Sequence, residues 1–333
     1  MADTPNRRQR EPGKENWQAM EQNTTRKVAV IGAGLIGRSW AIVFARAGFS
    51  VALWDAAPAA LPAARAFIAE RLPELAASGL LRDAPDAVLA RITLAETLGD
   101  ALRGAEYVQE NGPERVADKA DLFSEMDRLA APDAILASST SGIPASQFTG
   151  NLAGRGRCLV AHPVNPPYLV PVVELCPAPW TDPAVVSRAR ALLEAAGQVP
   201  ATVKKEVAGF VLNRLQVALV AEAFRLVRDG VVSEEDLDAT VKHGLGLRWS
   251  FMGPFETIDL NAPGGLADYI ARYGGLYAQV ENEITPCALT PDLVAELDAP
   301  RRAVLPLAEH PARQAWRDKR LMALAAHKAA LSE

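Results

Sequence analysis

Cysteine is scarce in this chain. Cys158, Cys176 and Cys287 are the three in 333 residues, an odd number that excludes a dense disulfide framework and fits buried thiols in a reducing compartment. Histidine is also sparse, with four residues, and no Cys/His/Asp grouping has the spacing of metal ligands, so no metal is expected. No apolar run approaches the roughly 20 residues that a membrane-spanning helix needs, and no membrane partner is expected. Excess positive charge is missing as well. The formal net charge is −5, which argues against nucleic acid or an anionic membrane as a partner. Residues 1–26 lack the apolar segment of a secretory signal and mix both charge signs with Pro, Gly, Asn and Gln. They read as a disordered N-terminal extension, and the cytoplasm is the expected location.

What remains is an ordinary globular composition, 49% hydrophobic and 23% charged, on a chain too long for one core. Two domains are expected. From 27 to 203 apolar strand-like runs alternate with helical stretches. The strands are read at Lys27–Ile31, Val51–Trp54, Glu106–Gln109, Ala134–Ser138, Leu159–Ala161, Val170–Leu175 and Val199–Val203. Helices are read at Leu35–Ala47, Pro58–Ala77, Pro85–Ala90 and Glu114–Leu129, and Thr181-Asp182-Pro183 caps a further one that Gly197 ends. This alternation predicts an α/β, Rossmann-type doubly wound domain around a mainly parallel sheet. From 204 to 333 the pattern is helical only, which predicts an all-α C-terminal domain. Phe210–Val227 is apolar on almost all sides, as a helix central to a bundle or dimer should be. Ser233-Glu234-Glu235-Asp236 resembles a capping box opening the next helix.

Gly32-Ala33-Gly34-Leu35-Ile36-Gly37 follows the first strand and opens the first helix. In such a turn the first glycine permits the tight bend and the second lets a pyrophosphate approach the backbone. The third allows helix and strand to pack closely, and the helix N-terminus faces the phosphates. Asp55 ends the second strand, where a carboxylate accepts hydrogen bonds from the adenosine ribose hydroxyls. It repels a 2′-phosphate, and Ala56 and Ala57 supply no compensating cation, so NAD is expected over NADP. A solvated strand-end carboxylate is the plainer reading of Asp55.

A second constellation carries chemistry. His162 follows the apolar run Cys158-Leu159-Val160-Ala161 and enters a loop stiffened by Pro163, Pro166 and Pro167. Glu174 lies in a second apolar run, twelve residues on. If the runs are neighbouring strands, carboxylate and imidazole meet, and the pair becomes a general base with its orienting acid. Ser141, after a strand, suits a hydrogen bond to a reacting hydroxyl, though a satisfied turn would also place a serine there. Asn213 sits in an apolar helix, where a substrate or a backbone carbonyl must meet its amide. Arg248 is a candidate for holding a substrate carboxylate, or a surface residue.

With these residues in view, the chain resembles the 3-hydroxyacyl-CoA dehydrogenase superfamily. The matching pattern is Gly32-x-Gly34-x-x-Gly37, Glu114, Lys119, Ser141, His162-x-x-Asn165-Pro166, Glu174 and Asn213. The longer motifs Ile36–Trp40, His162–Tyr168, Lys205–Gln216 and Gln314–Asp318 resemble its lambda-crystallin branch, the L-gulonate 3-dehydrogenases, from residue 27 to the C-terminus. The resemblance implies an NAD-binding domain, a helical domain that forms a homodimer, and oxidation of a small free 3-hydroxy acid, L-gulonate to 3-dehydro-L-gulonate. It implies that Leu35, Ile36, Asp55, Glu114 and Lys119 line the cofactor, that His162 is catalytic, and that Asn165 and Ser141 lie between nicotinamide and substrate. Other readings stay open. Trp249, Phe251 and Phe255 would suit the trimethylammonium of L-carnitine. An acyl-CoA substrate is disfavoured by Pro163-Val164, where the acyl-CoA enzymes read Phe-Phe. It is disfavoured too by the few basic residues (Arg65, Arg71 and Arg82 before Arg91) available for CoA phosphates. A non-catalytic, crystallin-like NAD-binding protein is disfavoured by the intact set of Ser141, His162, Glu174 and Asn213.

Overall fold

The computed structural model describes residues 26–286 and 288–331. The expectations for residues 1–25 and for Cys287 fall outside the described residues. The described chain divides into two compact units, one reaching to Phe210 and resuming at Asp318, the other spanning Val211–Arg317. The sequence pattern changes near residue 204, but no regular element covers 204–210, and Phe210 is fully buried in the first unit.

The first unit is built on one eight-stranded sheet of order β3-β2-β1-β4-β5-β6-β7-β8. The strands are β1 (Lys27–Ile31), β2 (Ser50–Trp54), β3 (Ile92–Leu94), β4 (Tyr107–Glu110), β5 (Ile135–Ser138), β6 (Cys158–Pro163), β7 (Val172–Pro177) and β8 (Val199–Thr202). All neighbours pair in parallel except β6 and β7. Its helices are α1 (Leu35–Arg46), α2 (Ala60–Ala77), α3 (Pro85–Ala90), α4 (Leu98–Leu102), α5 (Val116–Leu129), α6 (Ser146–Thr149) and α7 (Pro183–Ala195). This is the expected Rossmann-type arrangement, and the order 3-2-1-4-5-6 places the ligand crevice at the carboxyl ends of β1 and β4, where the winding reverses.

The strands read as continuous apolar runs because both faces of the sheet are covered. Along β1, Val28 and Val30 enter the core beneath α1, α2 and α7, while Ala29 and Ile31 enter the core beneath α4, α5 and α6. That division is the two-residue period of a strand made visible. The helix after Asp182 starts as expected: its carboxylate accepts the Ala184 N–H at 2.8 Å and Pro183 takes the first turn. Ser233 likewise caps its helix, accepting the Asp236 N–H at 3.1 Å. Among the described strands and α-helices of the first unit, β3, α4 and α6 were not foreseen. Each has three to five residues, too few to show a period.

The second unit contains α8 (Leu212–Arg228), α9 (Glu234–Thr240), α10 (Gly246–Trp249), α11 (Pro254–Asp259), α12 (Gly265–Glu283), α13 (Pro291–Val304) and the start of α14 (His310–Ala330). Arg225 is buried, pairs with Glu222 and donates to the Thr285 carbonyl at 2.8 Å. Arg301 joins α13 to α9 through Glu234 at 2.9 Å. In a single chain α8 is half clothed, with Leu215 and Val217 about two-thirds exposed.

Candidate active site

The three fingerprint glycines have three different reasons to be glycine. Gly32 has φ +93°, and a Cβ there would meet the Asn111 carbonyl oxygen at 2.8 Å. At Gly37 a Cβ would lie 1.7 Å from the Gly32 carbonyl oxygen, so helix and turn close only without it. Gly34 has nothing within 4 Å of where its Cβ would be, leaving open space over the backbone for a pyrophosphate. It is the N-cap of α1 and offers no side-chain cap, so the first-turn N–H groups remain available to anions. Leu35 stands exposed at this edge, and Ile36 is half-buried. Asp55 pins the turn by accepting the Ala33 N–H at 2.7 Å and the Ala57 N–H at 2.8 Å. Each oxygen keeps a further lone pair for a ribose hydroxyl. These residues fit a bound dinucleotide. Gly37→Ala should therefore weaken NADH binding at least about 100-fold, as the third-glycine role demands; fluorescence titration would measure it, and wild-type affinity would refute the packing argument.

His162 and Glu174 face each other directly across the one antiparallel pairing, β6 against β7. The imidazole Nδ1 lies 2.9 Å from Glu174 Oε2, and the two residues are 6% and 2% exposed. That contact is the only hydrogen bond of the ring among the described residues, which leaves Nε2 for a substrate. The ring also touches Phe210, centroid to centroid 5.6 Å. Phe210 has φ +51° behind Gly209 at +73°, a left-handed conformation that an aromatic residue adopts only at a cost.

Glu114 is the hub of the turn after β5. Its Oε1 accepts the Thr140 hydroxyl at 2.5 Å and the Ser141 and Gly142 N–H groups at 2.9 and 3.3 Å, and it lies 3.3 Å from the Ser141 hydroxyl. Lys119 sits behind it, 3.8 Å from Glu114 Oε2. Lys119 is 1% exposed and donates to both oxygens of Glu110 at 3.1 Å. Asn165 is exposed in the loop after His162. Asn213 lies half-buried in the first turn of α8 and Arg248 stands exposed on α10, both within the second unit.

Sequence reasoning missed a buried polar network beneath the crevice. The Ser139 hydroxyl accepts from Trp40 Nε1 at 3.0 Å and from Gln109 Nε2 at 2.7 Å, and donates to Asn111 Oδ1 at 2.7 Å. Gln109 also accepts from the Tyr107 hydroxyl and donates to the Ala161 carbonyl, one residue before His162. The Asn111 amide donates to the carbonyls of Ile31 and Gln109. The fingerprint helix, the ends of β1 and β4, and the strand of His162 are thus held in one register. The available signal was Gln109-Glu110 ending a strand otherwise built for burial, where unpaired polar groups are costly. Among the described residues no group of three His, Cys, Asp or Glu side chains is placed to hold a metal ion.

A dinucleotide crevice beside a histidine–glutamate pair defines an NAD-dependent dehydrogenase acting on a hydroxyl group. The chain belongs to the 3-hydroxyacyl-CoA dehydrogenase family: the family's NAD-binding domain matches residues 27–207 and its C-terminal domain residues 209–305. A lambda-crystallin homolog of Bos taurus is 46% identical over 303 residues, covering 90% of this chain and 94% of that protein. An L-carnitine dehydrogenase of Streptomyces coelicolor is 40% identical over 250 residues, covering 75% of this chain and 78% of that protein. Among solved structures, a 5-formyl-3-hydroxy-2-methylpyridine 4-carboxylic acid 5-dehydrogenase, an NAD-dependent dismutase, superposes with a TM-score of 0.78 at 31% identity. It covers 90% of this chain and 97% of that one. The cofactor is NAD, and no helix among the described residues is long and apolar enough to cross a membrane.

Proposed function

We propose that this protein oxidises the C3 hydroxyl of a small free 3-hydroxy acid, L-gulonate first among them, with His162 as general base. The observation that carries the reading is the His162–Glu174 pair, buried, with Nε2 unengaged. Gly32, Gly34, Leu35, Ile36, Gly37 and Asp55 would hold NAD, which accepts a hydride when bound. Neutral His162 takes the hydroxyl proton on Nε2. Glu174 fixes the tautomer through Nδ1 and stabilises the imidazolium that results. Ser141, positioned by Glu114, would hydrogen-bond the substrate oxygen, Asn213 would offer its amide to the substrate, and Asn165 would help hold the nicotinamide.

A free acid is favoured over a CoA thioester because the candidate basic residues already have protein partners. Arg65 donates to the Ile92 carbonyl, Arg71 pairs with Glu74, and Arg91 bonds Asp83 and the Ala45 carbonyl. A second reading, L-carnitine, is supported by the exposed rings of Trp249, Phe251 and Phe255 and by the likeness to the carnitine enzymes. The active form is proposed to be a homodimer through the helical unit, whose Leu215, Val217, Phe251, Phe255 and Leu276 are exposed in one chain. Cys158 and Cys176 are free thiols pushed up to about 12 by burial, which suits a reducing compartment, and the cytoplasm is the proposed location.

The test is NADH formation with L-gulonate, L-carnitine, L-3-hydroxybutyrate and 3-hydroxybutyryl-CoA. Preference for L-gulonate supports the leading reading, and preference for L-carnitine the second. Preference for the thioester overturns the free-acid argument. No turnover of any of them, with NAD bound, refutes the catalytic reading offered here and favours a binding protein.

A further inference from the structure

One cation on the fingerprint helix meets no acceptor among the described residues. Arg38 follows Gly37 in the first turn of α1, and its guanidinium makes no hydrogen bond or ion pair among the described residues. It is half-buried, its Nε is sequestered without an acceptor, and burial lowers its pKa from the ordinary arginine value. The group is nevertheless held in place, for its guanidinium carbon stacks 3.7 Å from the centre of the Phe67 ring on α2. Arg71, one turn along α2, lies 5.2 Å from the same ring, and it too has a buried Nε without an acceptor.

The charges around Arg38 do not neutralise it. Glu74 pairs with Arg71. Asp318 faces the Tyr168 hydroxyl at 3.5 Å. What remains is a guanidinium seated over an aromatic ring, with no protein acceptor among the described residues. Its Nε is a buried donor, and native proteins rarely leave buried donors unpaired without a ligand or water to meet them. The ligand that matches a planar fork of N–H groups is an oxyanion with two coplanar oxygens.

Position selects which oxyanion. Arg38, Ile42 and Arg46 recur at four-residue spacing on one face of α1. Arg46 on that face donates to the Tyr168 carbonyl at 2.8 Å, six residues beyond His162. The Arg38 end of the face lies toward the glycine turn, at the carboxyl edge of the sheet from which His162 also emerges. We propose that Arg38, steadied by Phe67, is the receptor for the substrate's carboxylate. The proposal rests on the free-acid reading and deepens it. It assigns acid recognition to the first unit, and Arg248 then has no part in it.

The experiment compares wild type, Arg38→Gln and Arg38→Lys on a hydroxy acid that wild type oxidises and on its neutral methyl ester. Expected for Arg38→Gln is a KM for the acid raised about 30- to 100-fold, the scale of a lost charge-assisted pair. The ester's KM and the dissociation constant for NADH should stay within about threefold, and Arg38→Lys should recover part of the loss. Equal effects on acid and ester, or none, overturn the proposal. A loss confined to NADH binding also overturns it and assigns the oxyanion to the cofactor's pyrophosphate. Malonate gives an arm independent of turnover. It should raise the melting temperature of the wild-type NADH complex and leave that of Arg38→Gln unmoved, and equal shifts in both overturn the proposal. If no hydroxy acid is turned over by wild type, the catalytic reading fails while the malonate arm still decides the role of Arg38.

Discussion

His162→Gln should lower turnover about 100- to 10,000-fold, the range that a lost general base commands. The dissociation constant for NADH should stay within a few-fold, because among the described residues no hydrogen bond or ring contact joins the imidazole to a fingerprint residue. Glutamine keeps a polar group of similar reach but accepts no proton at neutral pH. The geometry sharpens the expectation. One ring nitrogen is committed to Glu174 at 2.9 Å, so chemistry has only Nε2 to use. The pair is nearly dry, and a charge forming on the ring is opposed by an acid held in strand register rather than on a mobile loop. Stopped-flow NADH formation with the preferred acid would measure the effect. A variant turning over within tenfold of wild type would remove His162 from proton transfer and leave the antiparallel pair a structural feature.

The residues of that pair are legible in the sequence because strand ends are informative. An apolar run ending in histidine and another holding glutamate become a contact once β6 and β7 run antiparallel, and the twelve-residue separation leaves room for the turn between them. The glycine turn was legible for the same reason, since each glycine answers a separate steric demand. The Ser139 network was not legible. A polar residue in a buried strand announces that it needs a partner but not which one, and Ser139 finds partners 28, 30 and 99 residues away. Arg38 was read only as part of a motif, because what distinguishes it is the lack of a protein acceptor, and that exists only in three dimensions. Lys119 stood in the sequence as a cofactor residue. In the structure it lies behind Glu114, held by a carboxylate the sequence reading had passed over.

That carboxylate sets the second large effect. Lys119→Met should destabilise the protein by about 3–5 kcal/mol, the cost of leaving one member of a buried ion pair alone. Glu110 has no exposed surface and Lys119 has 1%, so water cannot replace the lost ammonium without opening the core. The Gly112 N–H at 2.6 Å and the Ser138 hydroxyl still reach Glu110, which holds the loss within that range rather than beyond it. Glu110→Gln combined with Lys119→Met should recover part of the stability, since an amide is less costly to bury than an unpaired carboxylate. Urea unfolding of the two variants beside wild type measures both quantities. A loss below about 1 kcal/mol in the single variant would mean that the pair adds little over a hydrophobic replacement. The functional consequence separates from the stability one. Glu114 would lose the cation 3.8 Å behind it, and with it the charge that steadies the acceptor for the Ser141 and Gly142 N–H groups. At temperatures where Lys119→Met is still folded, turnover should therefore fall further than the folded fraction does, whereas a loss matching the folded fraction would show that the pair serves the fold alone.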